Sequence, residues 1–319
     1  MVYGHVSRGL HSAGIGIFGN LYSILDTVIY SFHMPLFFFL SGLFFYNSLK
    51  KYGGLNLIGS KVDTLIYPYL LWSIIQISIE IILSNYTNGK VSHLQIFQLL
   101  WRPIDQFWFL YALFFVYLIS IILFSIRTKY LYLSFFILSL FLNLYQPVLP
   151  NIVIFNSIPH NLIFFSLGIG YSLYELGHNI SKSWIVLLSA FVFIISQYIS
   201  IIYALNSSST QLVLAITGIF IVISFSAWIS KFNYKIFALL GSASLSIYLM
   251  HILVTAGVRI FLVHAVGIYS LSLHLFIGCF AGILLPTIAF KIIDRYRIPY
   301  IFSAPVIQWS SVAKKLIKV

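Results

Sequence analysis

The chain has 319 residues, of which 61% are hydrophobic and only 8% are charged, and its mean hydropathy is +1.00. This composition excludes a soluble globular domain, which could not bury so much apolar surface, and predicts an integral membrane protein. The net charge of +12 does not indicate nucleic-acid binding, because the basic residues are scattered between apolar segments. The single cysteine, Cys279, excludes an intrachain disulfide.

Apolar stretches long enough to cross a membrane follow one another along the chain. A helix rises about 1.5 Å per residue, so about 20 apolar residues span the hydrocarbon core of a bilayer. Nine stretches meet or nearly meet this length: 28–46, 64–84, 106–126, 130–146, 160–176, 184–204, 211–230, 236–256 and 271–293. Transmembrane strands would alternate apolar and polar residues over about 10 positions, whereas these stretches are apolar on every face. The sequence therefore predicts an all-α fold, a polytopic transmembrane helical bundle.

The positions of lysine and arginine predict the orientation of the chain, because cytoplasmic connections retain these residues preferentially. Of the 18 lysines and arginines, only Arg8, Lys90, Arg102 and Arg259 fall on one side of the predicted spans. The other fourteen fall on the opposite side, together with the C-terminal tail. This bias predicts a multi-pass protein of the cell (inner) membrane with a cytoplasmic C-terminus.

The two ends of the chain lead to separate expectations. Nine crossings would leave residues 1–27 outside without a signal peptide. We therefore expect Met1–Val6 to be the outer end of an additional first helix, which gives ten spans. We expect 1–293 to form the membrane domain and 294–319 a cytoplasmic tail, whose mixture of apolar residues and lysines is typical of an amphipathic helix on the inner leaflet.

The predicted topology assigns a depth to each histidine. His33 and His251 each lie five residues inside the outer end of a helix, which is about 7–8 Å below that surface. His5 and His160 lie at outer helix ends. Ionisable residues within a membrane are rare and usually face the protein interior or a water-filled cavity, so this group indicates proton chemistry in the outer leaflet. The alternative for each histidine is an amphipathic side chain that hydrogen-bonds at headgroup depth.

Several motifs resemble those of the acyltransferase 3 family of integral membrane proteins. The segment from Ser31 to Gly42, SFHMPLFFFLSG, resembles the family's second-helix signature. Four other segments of the chain resemble landmarks of the family: Gly4-His5, Lys61 with Leu65 to Trp72, Trp108 to Leu110, and Ser246 to His251. The subgroup that the chain is most similar to is the fucose 4-O-acetylase-related enzymes. The basic residue that the family places about eleven residues before its first-helix histidine would here precede Met1, and the family's third-helix arginine pattern is not matched.

The resemblance implies transfer of an acyl group, expected to be acetyl, from acetyl-CoA to a hydroxyl of a bacterial surface or lipid-linked carbohydrate. A hydroxyl needs a positioned base as it attacks a thioester, and an imidazole suits this task. His5 is the candidate base or acyl carrier, with His33 as a second catalytic candidate. The candidate residues of the acceptor site are Arg8, His160 and His251. The candidate residues for acyl-CoA binding are Lys50, Lys51, Lys61 and Tyr67.

Two other functional classes use similar helical bundles. One is a polysaccharide exporter or flippase, and the other is a sensory or scaffolding membrane protein, although the latter gives no reason for His33 and His251 to share a depth. No Cys/His cluster with metal-ligand spacing occurs, so we expect no metal and no bound cofactor besides the donor substrate. Glu80 is interpreted as a residue that snorkels to the interface, and Ser41 beside Gly42 as a helix-packing residue. The sequence does not predict an oligomeric state.

Overall fold

The computed structural model describes residues 1–16, 19–84, 86, 92–124, 129–145, 153–177 and 180–306. Thirteen α-helices and no strands form in this part of the chain. They are α1 (Val2–Ser12), α2 (Asn20–Tyr52), α3 (Gly54–Lys61), α4 (Tyr67–Ile82), α5 (Leu94–Gln98), α6 (Trp108–Phe124), α7 (Lys129–Leu144), α8 (Val153–Leu173), α9 (Ser183–Ile202), α10 (Ser208–Ile229), α11 (Lys235–Ser242), α12 (Ser244–Ile260) and α13 (Leu271–Arg295).

Many of these helices are long enough to span a membrane. Among the described residues, seven helical stretches are long and apolar enough to cross a bilayer. They are Asn20–Tyr52, Gly54–Ile82, Asp105–Phe124, Ser183–Ile202, Ser208–Phe232, Ser244–Ala265 and Leu271–Arg295. The prediction of an all-α polytopic membrane bundle is therefore confirmed. The span predicted at 130–146 contains a shorter apolar helix, Leu131–Leu144, and the span predicted at 160–176 overlaps α8.

Several predicted boundaries differ from the observed helices. The first helix, expected to end at Val6, continues to Ser12. The stretch predicted to begin at residue 64 is preceded by α3, which leads through a π-helical turn, Val62–Ile66, into α4. The stretch predicted at 236–256 is divided between α11 and α12. Hydropathy alone misses these differences because a helix continues past its apolar part wherever the backbone hydrogen bonds continue. Half of the predicted amphipathic tail, 307–319, lies outside the described residues.

The described helices group into two compact units. Unit 1 contains Met1–Thr27, Ile66–Phe107 and the chain from Lys235 onward. Within it, α1 packs against α12 and α13. Small residues allow this close approach: a Cβ added at Gly278 would lie 3.1 Å from Val6, and one added at Gly282 would lie 2.9 Å from Val2. The packing fixes one face of α1 against the two C-terminal helices.

Unit 2 contains Val28–Leu65 and Trp108–Tyr234. Aromatic rings fill its interior: the Phe165 ring packs edge-on against Phe45 and Tyr117 at centroid distances of 5.3 and 5.1 Å. Two glycines bring α2 and α8 into backbone contact, since an added Cβ would lie 2.0 Å from the Phe165 carbonyl oxygen at Gly42 and 2.1 Å from that of Phe39 at Gly168. The interpretation of the Ser41–Gly42 region as a helix-packing segment agrees with this contact.

Candidate functional site

A cavity of about 390 Å³ lies within unit 1. Its wall is built from α1, the C-terminal half of α4, the turn that precedes α6, α12 and the start of α13. Nine polar or ionisable residues line it: His5, Arg8, Ser12, Glu80, Asp105, Gln106, Thr255, Arg259 and His274. The helix ends that form this wall belong to the side of the chain that the lysine and arginine count predicts to face outward.

His5, which lines the cavity, packs against a second histidine, His251. The rings of His5 and His251 pack edge-on, with their centroids 5.0 Å apart. His251 Nδ1 lies 2.9 and 2.8 Å from the carbonyl oxygens of Ile247 and Tyr248 in its own helix. Since carbonyl oxygens only accept, Nδ1 carries a proton, and in the neutral imidazole Nε2 then carries a lone pair. His251 is fully buried, and its Nε2 has no hydrogen-bond partner in the described part of the chain.

Arginine side chains hold α1 in place beside this pair. Arg8, one turn after His5, forms a bidentate ion pair with Asp26 through Nε–Oδ1 and Nη2–Oδ2 distances of 2.8 and 2.7 Å. Arg259 donates from Nη1 to the Gly9 carbonyl oxygen at 2.7 Å. Both arginines also line the cavity, so each links the position of α1 to a positive charge at the site.

Another part of the cavity wall carries two carboxyl groups and the Gln106 carboxamide, which are joined through the buried carboxamide of Gln76. Gln76 Nε2 donates to Glu80 Oε1 at 2.9 Å and to Asp105 Oδ2 at 2.8 Å. Gln106 Nε2 donates to Gln76 Oε1 at 2.9 Å. The Tyr248 hydroxyl donates to the Gln106 backbone carbonyl oxygen and so ties α12 to the same turn. The network orients Glu80 and Asp105 toward the cavity that His5 also lines.

The family model described as "Acyltransferase domain" matches residues 1–291. This chain belongs to the acyltransferase 3 family. Neither a curated protein nor a solved structure matches the chain. The resemblance of the motifs is thereby confirmed at the level of the family, and membership indicates a membrane acyltransferase.

Sequence analysis of this acyltransferase 3 protein missed much of the cavity. Glu80 was interpreted as a snorkelling residue, and neither Asp105 nor its carboxamide partners were singled out. One signal was present: the whole chain holds only six acidic residues. Two of these, Glu80 and Asp105, line the cavity, and a third, Asp26, pairs with an arginine that lines it. In so apolar a chain, each acidic residue near a span is a candidate for function.

The remaining predicted histidines belong to unit 2. His33 is buried, its Nδ1 lies 2.9 Å from the Ile29 carbonyl oxygen, and its ring packs edge-on against Tyr30 at 4.5 Å. His160 is joined to Asn143, whose Nδ2 lies 3.2 Å from His160 Nδ1 and 2.9 Å from its carbonyl oxygen. Of the predicted site residues, the structure thus brings His5, Arg8 and His251 together in unit 1.

The predicted acyl-CoA-binding residues have varied surroundings. The Lys61 ammonium lies 4.3 Å from the centroid of the Tyr117 ring, and that of Lys51 lies 5.0 Å from the Tyr52 ring. Lys50 is exposed. In unit 1, the Tyr67 hydroxyl donates to the Tyr300 carbonyl oxygen at 2.8 Å, which ties α4 to the segment that follows α13. Among the described residues, no group of three or more His, Cys, Asp or Glu side chains could hold a metal ion.

Proposed function

We propose that this membrane protein transfers an acetyl group from cytoplasmic acetyl-CoA to a hydroxyl of a bacterial surface or lipid-linked carbohydrate. The observation that supports this most is the cavity in which His5, the histidine of the family's first-helix motif, meets two arginines and two carboxyl groups. We further propose that the protein lies in the inner membrane with its C-terminus in the cytoplasm, and that it belongs with the fucose 4-O-acetylase-related enzymes. The charge bias of the sequence supports the orientation, and the motifs support the subgroup.

In the direct route, His5 accepts the proton of the acceptor hydroxyl as its oxygen attacks the thioester carbonyl carbon. The new carbon–oxygen bond forms and the carbon–sulfur bond breaks, and the CoA thiolate takes up the proton. In the double-displacement route, a His5 nitrogen attacks the thioester carbon, the carbon–sulfur bond breaks, and CoA leaves as the thiol with the imidazole proton. The sugar hydroxyl then attacks the acyl carbon, the carbon–nitrogen bond breaks, and the released imidazole takes the hydroxyl proton. A burst of free CoA in the absence of acceptor supports the second route, and its absence supports the first.

The surroundings of His5 suit either route. His251 packs against the imidazole and limits its orientation. The Arg8 and Arg259 guanidinium groups at the cavity wall can stabilise the negative charge that develops on the carbonyl oxygen. His160 remains a proposed acceptor-site residue, and His33 remains a proposed second catalytic residue.

The donor must reach this chemistry from the cytoplasmic side. We propose that the polyphosphate end of acetyl-CoA binds the basic side chains that the charge count assigns to the cytoplasm, with Tyr67 nearby in sequence. The basic residues in this proposal are Lys50, Lys51 and Lys61. The thioester end, which is uncharged, can then enter the apolar interior of the protein.

The first test compares His5→Ala with His11→Ala, each introduced into the gene at its own locus. General acid–base catalysis contributes about 100-fold or more, so we expect His5→Ala to lower the ester content of the surface glycan to the level of a deletion strain. His11 lies on the same helix, stacks on Tyr22 and is exposed, so His11→Ala should retain normal ester content. The readout is O-acetyl content by NMR of the isolated glycan, with membrane abundance measured for both variants.

Unchanged O-acetyl content in His5→Ala would refute its catalytic role. Unchanged content in the deletion strain would refute the proposed reaction itself. Loss of surface glycan in the deletion strain, without consumption of acetyl-CoA by membranes that contain the protein, would instead indicate a polysaccharide exporter.

A further inference from the structure

Two carboxyl groups that line the cavity accept hydrogen bonds from the same side-chain amide. Gln76 Nε2 lies 2.9 Å from Glu80 Oε1 and 2.8 Å from Asp105 Oδ2, so its two hydrogens are both used, one for each carboxyl. Gln76 is fully buried, and its own oxygen accepts from Gln106. The amide therefore holds Glu80 and Asp105 side by side, and each carboxyl keeps a second oxygen with its own lone pairs.

Gln106 supplies an independent sign that a ligand binds at this wall. Its side chain lines the cavity and is only 4% exposed. Its Nε2 donates to Gln76, but its Oε1 has no hydrogen-bond partner among the described residues. A buried acceptor without a partner costs free energy, so a donor from a bound molecule would satisfy it.

The groups that this wall offers are acceptors: two carboxyls and one amide oxygen. A ligand that complements them must bring several hydrogen-bond donors. The phosphates of CoA bring none when ionised, and their negative charge is repelled by carboxylates. A neutral sugar brings a hydroxyl on nearly every ring carbon, and adjacent hydroxyls can donate to neighbouring acceptors.

We infer that Glu80, Asp105 and Gln106 form the subsite that binds adjacent hydroxyl groups of a neutral sugar acceptor. This inference rests on the proposed acyltransferase function and names the part of the cavity that selects the acceptor. Because His5 lines the same cavity, the subsite holds the sugar with a further hydroxyl available to His5. Binding the sugar through several hydroxyls makes the subsite selective, since an analogue that lacks one hydroxyl leaves a buried acceptor unpaired.

The test separates the KM for the acceptor from the KM for the donor. Asp105→Asn and Glu80→Gln remove the charge and one acceptor oxygen while keeping the size of the side chain. Asp105 has a φ of 39°, and asparagine is among the residues that tolerate a positive φ best. Membranes containing each variant are assayed for CoA release with acetyl-CoA as donor. The acceptor is glycan isolated from a strain that lacks the gene.

We expect each variant to raise the KM for the glycan about tenfold, the effect of losing a hydrogen bond to a charged group. The KM for acetyl-CoA should stay within about twofold of the wild-type value, because the proposed donor contacts lie elsewhere. The matched control is Asp294→Asn, an exposed acid near the end of α13 that does not line the cavity. It should leave both constants unchanged.

The outcomes distinguish this inference from the proposed function. If wild-type membranes transfer acetyl to the glycan and both variants have the wild-type KM for the glycan, the subsite assignment is wrong. The acyltransferase function then stands. A rise in the KM for acetyl-CoA alone would assign the wall to the donor and also overturn the inference. The amount of each variant that elutes as a single species from detergent-solubilised membranes is measured in parallel, so a variant that fails to fold is recognised by its loss. If wild-type membranes transfer no acetyl group, the proposed function itself fails.

Discussion

Each of the two units holds a buried histidine by the same local hydrogen bond. In unit 1, His251 Nδ1 lies 2.9 Å from the carbonyl oxygen four residues earlier, and in unit 2, His33 Nδ1 makes the same contact at 2.9 Å. The rings differ in their neighbours: His251 packs against His5 beside a polar cavity, whereas His33 packs against Tyr30. In both cases the hydrogen bond to the helix backbone places a proton on Nδ1. The neighbouring side chains differ, and they determine which reactions the ring can take part in.

The polar groups of the two units are also organised differently. In unit 1 they are ionisable and converge on a cavity, as shown by the Arg8–Asp26 ion pair and the carboxyl groups joined by Gln76. Unit 2 contains polar contacts between helices, such as Ser189 with Ser224 at 2.9 Å and Gln197 Nε2 with the Ser31 hydroxyl at 2.9 Å. Pairs of the second kind satisfy buried hydroxyls and stabilise helix packing. This difference supports the proposal that the acceptor binds in unit 1, and variants in unit 2 test it.

The largest effect on the rate of acetyl transfer is expected from His33→Asn. A loss of rate would show that a histidine of unit 2 also takes part in catalysis. Asparagine keeps a donor for the carbonyl of Ile29 but cannot act as a base near neutral pH. As a proposed catalytic residue, His33 should contribute about 100-fold to the rate of acetyl transfer. The rate is measured in membranes with acetyl-CoA and glycan, and the amount of folded protein is measured in parallel. A wild-type rate would instead show that His33 serves only helix packing.

An intermediate effect, on stability, is expected from Gly168→Ala in unit 2. The added Cβ would lie 2.1 Å from the Phe39 carbonyl oxygen and 2.8 Å from the Leu43 nitrogen, both of which are backbone atoms. The helices must separate, and such overpacking costs about 1–3 kcal/mol. Gly241→Ala in unit 1 is the matched control, since its Cβ would meet nothing within 4 Å. Thermal unfolding in detergent should show a lower Tm for Gly168→Ala only, and equal values would contradict the close contact.

The smallest effect is expected from Lys61→Met. Methionine keeps an unbranched side chain of similar length but removes the ammonium that lies over the Tyr117 ring. If Lys61 attracts the phosphates of acetyl-CoA, the KM for this donor should rise about three- to fivefold, as expected for one partly screened charge. Lys182→Met, at an exposed position in the same unit, should leave the KM unchanged. Equal KM values for the two variants would remove Lys61 from the donor site.

Much of the fold was predictable because single helices are specified locally. Apolar stretches at 28–46, 184–204, 211–230 and 271–293 each correspond to an observed helix of spanning length. Membrane crossing requires every backbone polar group to be satisfied within the segment, so length and hydropathy suffice. The boundaries were less predictable, since the π-helical turn at Val62–Ile66 and the division between α11 and α12 leave hydropathy almost unchanged.

The candidate site was predictable only in part. The motif around His5 and the predicted depth of His251 both pointed to the wall where the structure brings these rings together. Glu80 and Asp105 could not be assigned in the same way, because their role depends on Gln76, which sequence analysis did not distinguish from any other polar residue in an apolar stretch.

The sequence by itself determined that this protein is a polytopic helical membrane protein of the acyltransferase 3 family, with a histidine near its start as the candidate base. These features follow from local properties: the length of apolar stretches, the distribution of charge and short motifs. Only the tertiary structure decided which ionisable groups share a cavity, because α1, α4, the turn before α6, α12 and α13 are distant in sequence and meet through helix packing. The burial of Gln76 and Gln106 then gives the two carboxyl groups a common orientation, which the sequence analysis did not foresee.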